Sequence, residues 1–192
     1  MRLFVAIDLS DAQRAEAARA ADVLQRALDG ARAPRAIRWV APAALHLTVR
    51  FIGEVDDDHG GRIVTELARP LDVAPFQLAL ADVGTFPPSG LPRVVWVGVG
   101  DGQAGASAAH HGIETRLTAL GVRSEARTFR PHLTLGRVRE IGRSQAAELM
   151  KAARGLRIDP APARVERLTL YRSHLSPKGP RYEPLTRTPL TG

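Results

Sequence analysis

The sequence predicts an α+β fold: a bilobal pseudo-twofold duplication in which two antiparallel sheets line a central cleft and helices lie outside. Two observations carry that prediction. The phrase His-Leu-Thr-aliphatic occurs at His46–Val49, in "LHLTVRFIGEV", and returns eighty-six positions later at His132–Leu135, in "PHLTLGRVRE". The elements around each phrase also follow one order: strand, helix, strands containing His-Leu-Thr, helix, strand. Between the halves there is no composition shift or flexible linker. The chain is therefore expected to form one domain over 1–192, with lobes at approximately 1–90 and 91–192 and room for strand exchange between them.

Each element has a local reason. "MRLFVAIDL" is an apolar run that reads as a buried strand. In the helix that follows, Ser10 and Gln13 form a capping-box pattern and Gly30 stands where a terminal glycine belongs. "AIRWVAPAALHLTVRFIGEV" reads as two strands parted at Pro42, "HGGRIVTELARP" as a short helix stopped by Pro70, and "PFQLALADVGTF" as one strand. After the loop "GTFPPSGLP" the order restarts. "RVVWVGVG" is a strand, and a helix with Ile113, Leu117 and Leu120 at helical spacing ends at Gly121. "FRPHLTLGRVRE", the helix "RSQAAELMKAARG", the strand "ARVERLTLYRSHL", the turn "SPKGPRY" and a last strand near 181–187 complete the chain.

Composition narrows the function classes. A hydrophobic fraction of 44% and a charged fraction of 24% suit a soluble globular chain. No apolar run reaches the roughly 18–20 residues that cross a bilayer. The first residues hold too short an apolar segment for a secretory signal, interrupted by Asp8, so a cytoplasmic location without membrane contact is expected. With no cysteine, disulfides, thiolate metal sites and cysteine nucleophiles are excluded together. A net charge of +7 favours an anionic partner, nucleic acid being the commonest.

Strand alternation places His46, Thr48 and Arg50 on one face, with Leu47, Val49 and Phe51 on the other. In the second copy Arg130, His132 and Thr134 share a face, opposite Leu133 and Leu135. Each strand thus offers an apolar side for a core and a side bearing imidazole, hydroxyl and guanidinium. A twofold pairing of lobes would set these polar faces across a cleft. Imidazoles titrate near neutrality, so one can accept a proton while the other gives one. Hydroxyls and arginine can hold the non-bridging oxygens of a phosphate. The set suits in-line attack on a strained cyclic phosphodiester, without metal or covalent intermediate.

The paired His46-Leu47-Thr48-Val49 and His132-Leu133-Thr134-Leu135 resemble the twin HxTx signature of the 2H phosphoesterases. The likeness is strongest to the bacterial and archaeal RNA 2′,3′-cyclic phosphodiesterases, also called 2′-5′ RNA ligases. It extends through "RLFVAIDL", "HLTVRFIGEV", "FRPHLTLGRV" and "LYRSHLSPKGPRYEPL". The resemblance implies metal-independent hydrolysis of an RNA 2′,3′-cyclic phosphate end to a 2′-phosphate, with reversible 2′-5′ ligation as an accompaniment. It implies no cofactor, and we expect a monomer. Carried over, His46 is the general acid on the leaving 3′ oxygen, His132 the general base on water, and Thr48 and Thr134 hold the phosphate. The pattern also points to Arg137, but regular alternation sets Arg137 opposite His132. Either Gly136 permits a bulge or Arg130 makes the phosphate contact, and alternation favours Arg130.

Other residues read more plainly. Arg50 serves as well as a solvated strand-end arginine as it does as a phosphate ligand. Phe51 falls on the core face, and Trp39 is the better candidate for a cleft wall. His59 reads as a helix-start residue. His110 and His111 diverge on a helix and make a poor metal site, and His174 reads as structural. "EVDDDHG" is a solvated helix cap, and "GASAAHHG" lacks the lysine of a nucleotide-binding loop. The rival readings are a 2H activity on a small cyclic phosphate, such as a cyclic nucleotide or ADP-ribose cyclic phosphate, and a non-catalytic module that binds RNA ends.

Overall fold

Strand β1 (Arg2–Asp8) opens the chain, its five apolar residues Leu3–Ile7 all buried. Helix α1 (Asp11–Gly30) starts on the expected capping box, with Ser10 and Gln13 bonded to each other's backbone N–H. Such a cap contributes about 1 kcal/mol. Its end differs from expectation. Gly30 is the last helical residue, Ala31 is the cap, and Arg32 takes the left-handed conformation with φ 58°. Strand β2 (Ile37–Trp39), a 3₁₀ turn (Pro42–Ala44) and β3 (His46–Glu54) follow, parted at Pro42 as the sequence indicates.

Asp56 caps α2 (Asp57–Leu67) by accepting the His59 N–H at 2.7 Å. The single strand expected over 75–86 is two, β4 (Phe76–Leu78) and β5 (Leu80–Phe86), because the chain leaves one sheet for the other at Ala79. After β6 (Val94–Val99), helix α3 (Gln103–Ala119) ends before Gly121, whose φ of 83° needs a glycine. Then come β7 (His132–Val138), α4 (Arg143–Gly155), β8 (Ala163–Val165), β9 (Arg167–His174) and β10 (Arg181–Pro189). β8 and β9 replace one expected strand. Pro184 and Pro189 are tolerated in β10 because it is an edge strand. The computed structural model describes residues 1–33, 35–175 and 179–192, so part of the turn expected over 176–182 lies outside the described residues.

The strands form an eight-stranded antiparallel sheet in the order β10-β9-β1-β3-β7-β6-β5, with β2 added beside β7, and a two-stranded sheet of β4 and β8. The order is symmetric about its middle: β9-β1-β3 on one side answers β5-β6-β7 on the other. The two sides meet at one registered pair, Leu47 opposite Leu133.

The two spatial halves are not the two halves of the sequence. β9 and β10, late in the chain, pair onto β1, while the early strands β2 and β5 flank β7 and β6. The helices are exchanged as well. One core packs α2 and α3 under β1, β3 and β9 around Val5, Leu47, Ile63, Ile113 and Leu168. The other packs α1 and α4 under β5, β6 and β7 around Leu24, Val97, Leu133 and Leu149. Each core therefore draws on both copies of the repeat. The seam between β3 and β7 is where they meet.

Candidate active site

Antiparallel pairing through Leu47 and Leu133 sets His46 on the Thr134 side of the seam and Thr48 on the His132 side. Both leucines are 1% exposed, so the four polar side chains share the opposite face. The two imidazoles are held alike. Nδ1–H of His46 donates to the Ala44 carbonyl at 2.8 Å, and Nδ1–H of His132 to the Arg130 carbonyl at 2.6 Å. A carbonyl only accepts. In each neutral ring the proton therefore sits on Nδ1, and Nε2 is left as the atom a ligand can use.

Neither strand alternates along its full length. In β3, Thr48 pairs with Ala6 and Arg50 with Val5, so Val49 is an extra residue opposite β1. In β7, Thr134 pairs with Trp96 and Gly136 with Val95, so Leu135 is extra. Both are β-bulges, each one residue after the threonine. The residues next after each bulge change face, and in β3 a second register shift follows at Ile52. Phe51, expected in the core, is 52% exposed and lines the cleft, whereas Arg50, expected on the histidine face, is buried at 5%. In β7 the same change buries Gly136 and brings Arg137 to the cleft. The alternation that favoured Arg130 over Arg137 therefore fails at Leu135. Arg130 precedes the strand, is not among the cleft-lining residues, and reaches the site through its carbonyl on His132.

The cleft measures about 570 Å³. His46, Thr48, Thr134 and Arg137 line it together with Arg2 and Arg38, and Phe4, Trp39, Phe51 and Tyr182 supply aromatic walls. Trp39 thus stands where the sequence placed it, its indole N–H donating to Gln25 at 2.6 Å. His132 is not among the lining residues. It stands across the seam, edge-on to Phe86 with ring centroids 5.1 Å apart and 6.4 Å from Trp96. Among the described residues no carboxylate lines the cleft. Arg38 lies directly opposite Arg137 in the β2–β7 register, and neither forms a salt bridge among the described residues. Like charges so placed repel, and a bound anion would relieve them.

Around His46 the walls close in. Its ring lies 4.8 Å from Phe4 and 5.1 Å from Tyr182, edge-on to the latter. Burial lowers its pKa below the ordinary imidazole value, against the opposing pull of the Ala44 carbonyl and the Asp8 charge. Asp8 pairs with His46 in the β1–β3 register and accepts from Thr169 at 2.7 Å and Tyr171 at 2.5 Å. Burial, followed by that bond to Asp8, pushes the Tyr171 hydroxyl up to about 12, so it stays protonated and donates. Burial also raises the Tyr182 pKa. Arg14 of α1 donates to the Leu45 carbonyl at 3.0 Å, tying down the residue before His46.

Sequence reasoning missed Phe4, Asp8, Tyr171 and Tyr182 as neighbours of the site. Their signal was present in "RLFVAIDL" and "GPRYEPL", but only the sheet order brings those strands beside β3. Three of the four remaining histidines, His59, His110 and His174, have structural partners. His59 Nε2 bonds the Leu120 carbonyl at 3.0 Å, His110 Nδ1 the Val49 carbonyl at 2.8 Å, and His174 pairs with Glu183 at 2.7 Å. Phe129 stacks on His110 at 4.3 Å. Among the described residues no three His, Cys, Asp or Glu side chains cluster as metal ligands. Nor is any helix among them long and apolar enough to cross a membrane.

Comparison with known proteins accords with this geometry. The family model of the 2′-5′ RNA ligase superfamily matches residues 9–177. The RNA 2′,3′-cyclic phosphodiesterase of Methanocaldococcus jannaschii is 31% identical over 95% of this chain and 97% of its own. That of Archaeoglobus fulgidus is 32% identical over 96% and 98%. Among solved structures, TT0787 of Thermus thermophilus superposes with a TM-score of 0.71 at 27% identity, covering 98% of this chain and 97% of that one. E. coli LigT complexed with 3′-AMP superposes with a TM-score of 0.70 at 28% identity, covering 100% and 98%.

Proposed function

The chain belongs to the 2′-5′ RNA ligase superfamily, and on that premise we propose that it hydrolyses RNA 2′,3′-cyclic phosphate ends to 2′-phosphates. The observation that carries the reading is the matched pair of imidazoles. Both are pinned at Nδ1 by a carbonyl two residues back, on strands joined at Leu47–Leu133, with a threonine two residues on.

The chemistry follows from those atoms. Water attacks phosphorus in line with the bond to the 3′ oxygen. Nε2 of His132, neutral, takes the proton that water loses. Protonated Nε2 of His46 gives a proton to the 3′ oxygen as its bond to phosphorus breaks. The 2′ ester remains, and the ring is opened by one water. Each proton transfer contributes about 10²–10⁴-fold. Thr48, Thr134 and Arg137 hold the non-bridging oxygens, with Arg137 rather than Arg130 as the guanidinium that reaches them. Burial makes His46 a stronger acid than a free imidazole, and the approaching phosphate anion favours its protonated form. The same steps with a 5′-hydroxyl in place of water join RNA ends through a 2′-5′ linkage, and their reversal cleaves that linkage to the cyclic phosphate.

The aromatic walls suit a nucleobase, since stacking contributes about 1–3 kcal/mol per base without demanding a sequence. No metal or cofactor has a role in this scheme. Its setting is a single-domain monomer in the cytoplasm. The test is a short RNA ending in a 2′,3′-cyclic phosphate, incubated with EDTA and followed by mass spectrometry. The expected result is a gain of one water with the phosphate left on the 2′ oxygen. Binding without turnover would make the chain an RNA-end-binding module. Neither binding nor turnover would direct attention to small cyclic phosphates.

A further inference from the structure

The bulge in β3 is held from beneath by α3. His110 and Glu114, one helical turn apart, face the underside of the strand at the place where alternation breaks. His110 Nδ1–H donates to the carbonyl of Val49, the extra residue. Glu114 accepts from Arg50, the residue that the bulge turns inward. The buried guanidinium is completed by the carbonyls of Phe51 and Arg123, the latter at 2.6 Å, and by Glu125 at 3.8 Å. Glu114 also accepts the Glu125 N–H at 3.0 Å.

None of these groups reaches the cleft, yet they bear on what does. With regular alternation β3 would send Arg50 into the cleft and Phe51 into the core. An arginine is buried at 5% here only because a carboxylate and carbonyls meet it. The matching place in β7 reinforces the point. There the inward residue is Gly136, which has no side chain to bury, and the Leu135 carbonyl accepts a backbone N–H from Val40 at 2.8 Å. One bulge is secured by a neighbouring strand, the other by two helix side chains.

We propose that His110 and Glu114 are positioning residues, which hold the β3 bulge and thereby turn Phe51 into the cleft beside His46 and Thr48. This rests on the cleft being the catalytic site. His110 belongs to the second sequence repeat and Phe51 to the first, so the exchange of helices lets one copy shape the other's half of the site.

The test is a double-mutant cycle on the full chain with a cyclic-phosphate RNA, read with a probe that needs no activity. Glu114→Ala removes the carboxylate hydrogen-bonded to Arg50 and endangers the fold, so the decisive variant is His110→Leu. It keeps apolar volume against Phe129 while removing the donor. His110→Leu is expected to raise KM several-fold with kcat little changed, and His110→Asn, which restores a donor, to return KM to the parent value. In a Phe51→Ala background His110→Leu should have no further effect, because the two act through one side chain. The independent probe is Phe51→Cys, which becomes the sole thiol of a cysteine-free chain. A thiol reagent should label it several-fold more slowly with His110→Leu than with His110→Asn.

Equal labelling in both variants, both folded by circular dichroism, would overturn the proposal. So would additive effects of His110→Leu and Phe51→Ala on KM. Slower labelling with unchanged kinetics would overturn its catalytic half. A parent chain inactive on cyclic-phosphate RNA would instead sink the functional reading and leave the labelling result intact.

Discussion

β3 and β7 carry the same phrase, break alternation after the same residue and pin their histidines by the same bond, yet they fill the cleft differently. Past its bulge β3 presents Phe51, and past its own β7 presents Arg137. Beside His46 in the sheet stands Asp8, while beside His132 stands Gly98. His46 is enclosed by Phe4 and Tyr182, whereas His132 meets Phe86 and Trp96 edge-on. A duplicated scaffold supplies two imidazoles held in the same way. Around His46 the aromatic walls and the guanidiniums of Arg2, Arg38 and Arg137 share one cleft, whereas the rings that meet His132, Phe86 and Trp96, are not among its lining residues. Such a cleft suits a ligand that carries both a base and a phosphate.

The comparison can be broken most severely at its supports. Glu114→Ala leaves buried Arg50 with only the longer pair to Glu125, at 3.8 Å, and should lower stability by about 3 kcal/mol in urea unfolding. A loss near zero would show that Arg50 simply turns out to solvent. At the cleft itself, Arg137→Ala should lower kcat by about 10²–10³-fold, since a guanidinium on the developing charge acts in the transition state. Arg130→Ala keeps the carbonyl that orients His132, and its kcat should remain within about threefold of the parent. The reverse ranking would restore Arg130 as the phosphate ligand.

Gly136→Ala probes the β7 bulge. A Cβ there would lie 2.6 Å from Ile37 and 2.9 Å from Trp39. Overpacking of this kind costs about 1–3 kcal/mol, and thermal unfolding together with KM should show β2 displaced. Unchanged stability and KM would mean that β2 yields freely. The smallest effect expected is on pH. Because burial lowers the His46 pKa, one limb of the bell-shaped pH–rate profile should fall below the ordinary imidazole value of about 6.5. Tyr182→Ala, which opens the ring to water, should move that limb upward. The sign for stability follows. The fold favours neutral His46, so its contribution is complete above the ordinary imidazole pKa and is lost as pH falls from there through the lowered value. A limb unmoved by Tyr182→Ala would place the burial elsewhere.

Much of this was legible in the chain. Two His-Leu-Thr phrases in matching surroundings announced the duplication, and helix punctuation such as Ser10–Gln13 and Gly121 placed elements closely. The cleft-facing identity of Phe51 was not legible, and that of Arg137 was indicated by the resemblance but not by alternation. Period-two reasoning assumes an unbroken strand, and a one-residue bulge reverses every face beyond it. Nor could local pattern show that β9 and β10 flank β1 or that α3 lies under β3, since pairing between distant segments leaves no periodic trace. Asp8, Tyr171 and Tyr182 entered the site by that route.

The most direct test of the central claim is a kinetic cycle at the two histidines, on a 2′,3′-cyclic-phosphate RNA with EDTA present. If one ring gives a proton while the other takes one, His46→Ala and His132→Ala should each lower kcat by about 10²–10⁴-fold, and the double variant should be little worse than either alone. Full activity in either single variant, or losses that multiply in the double, would contradict a paired acid and base at this seam.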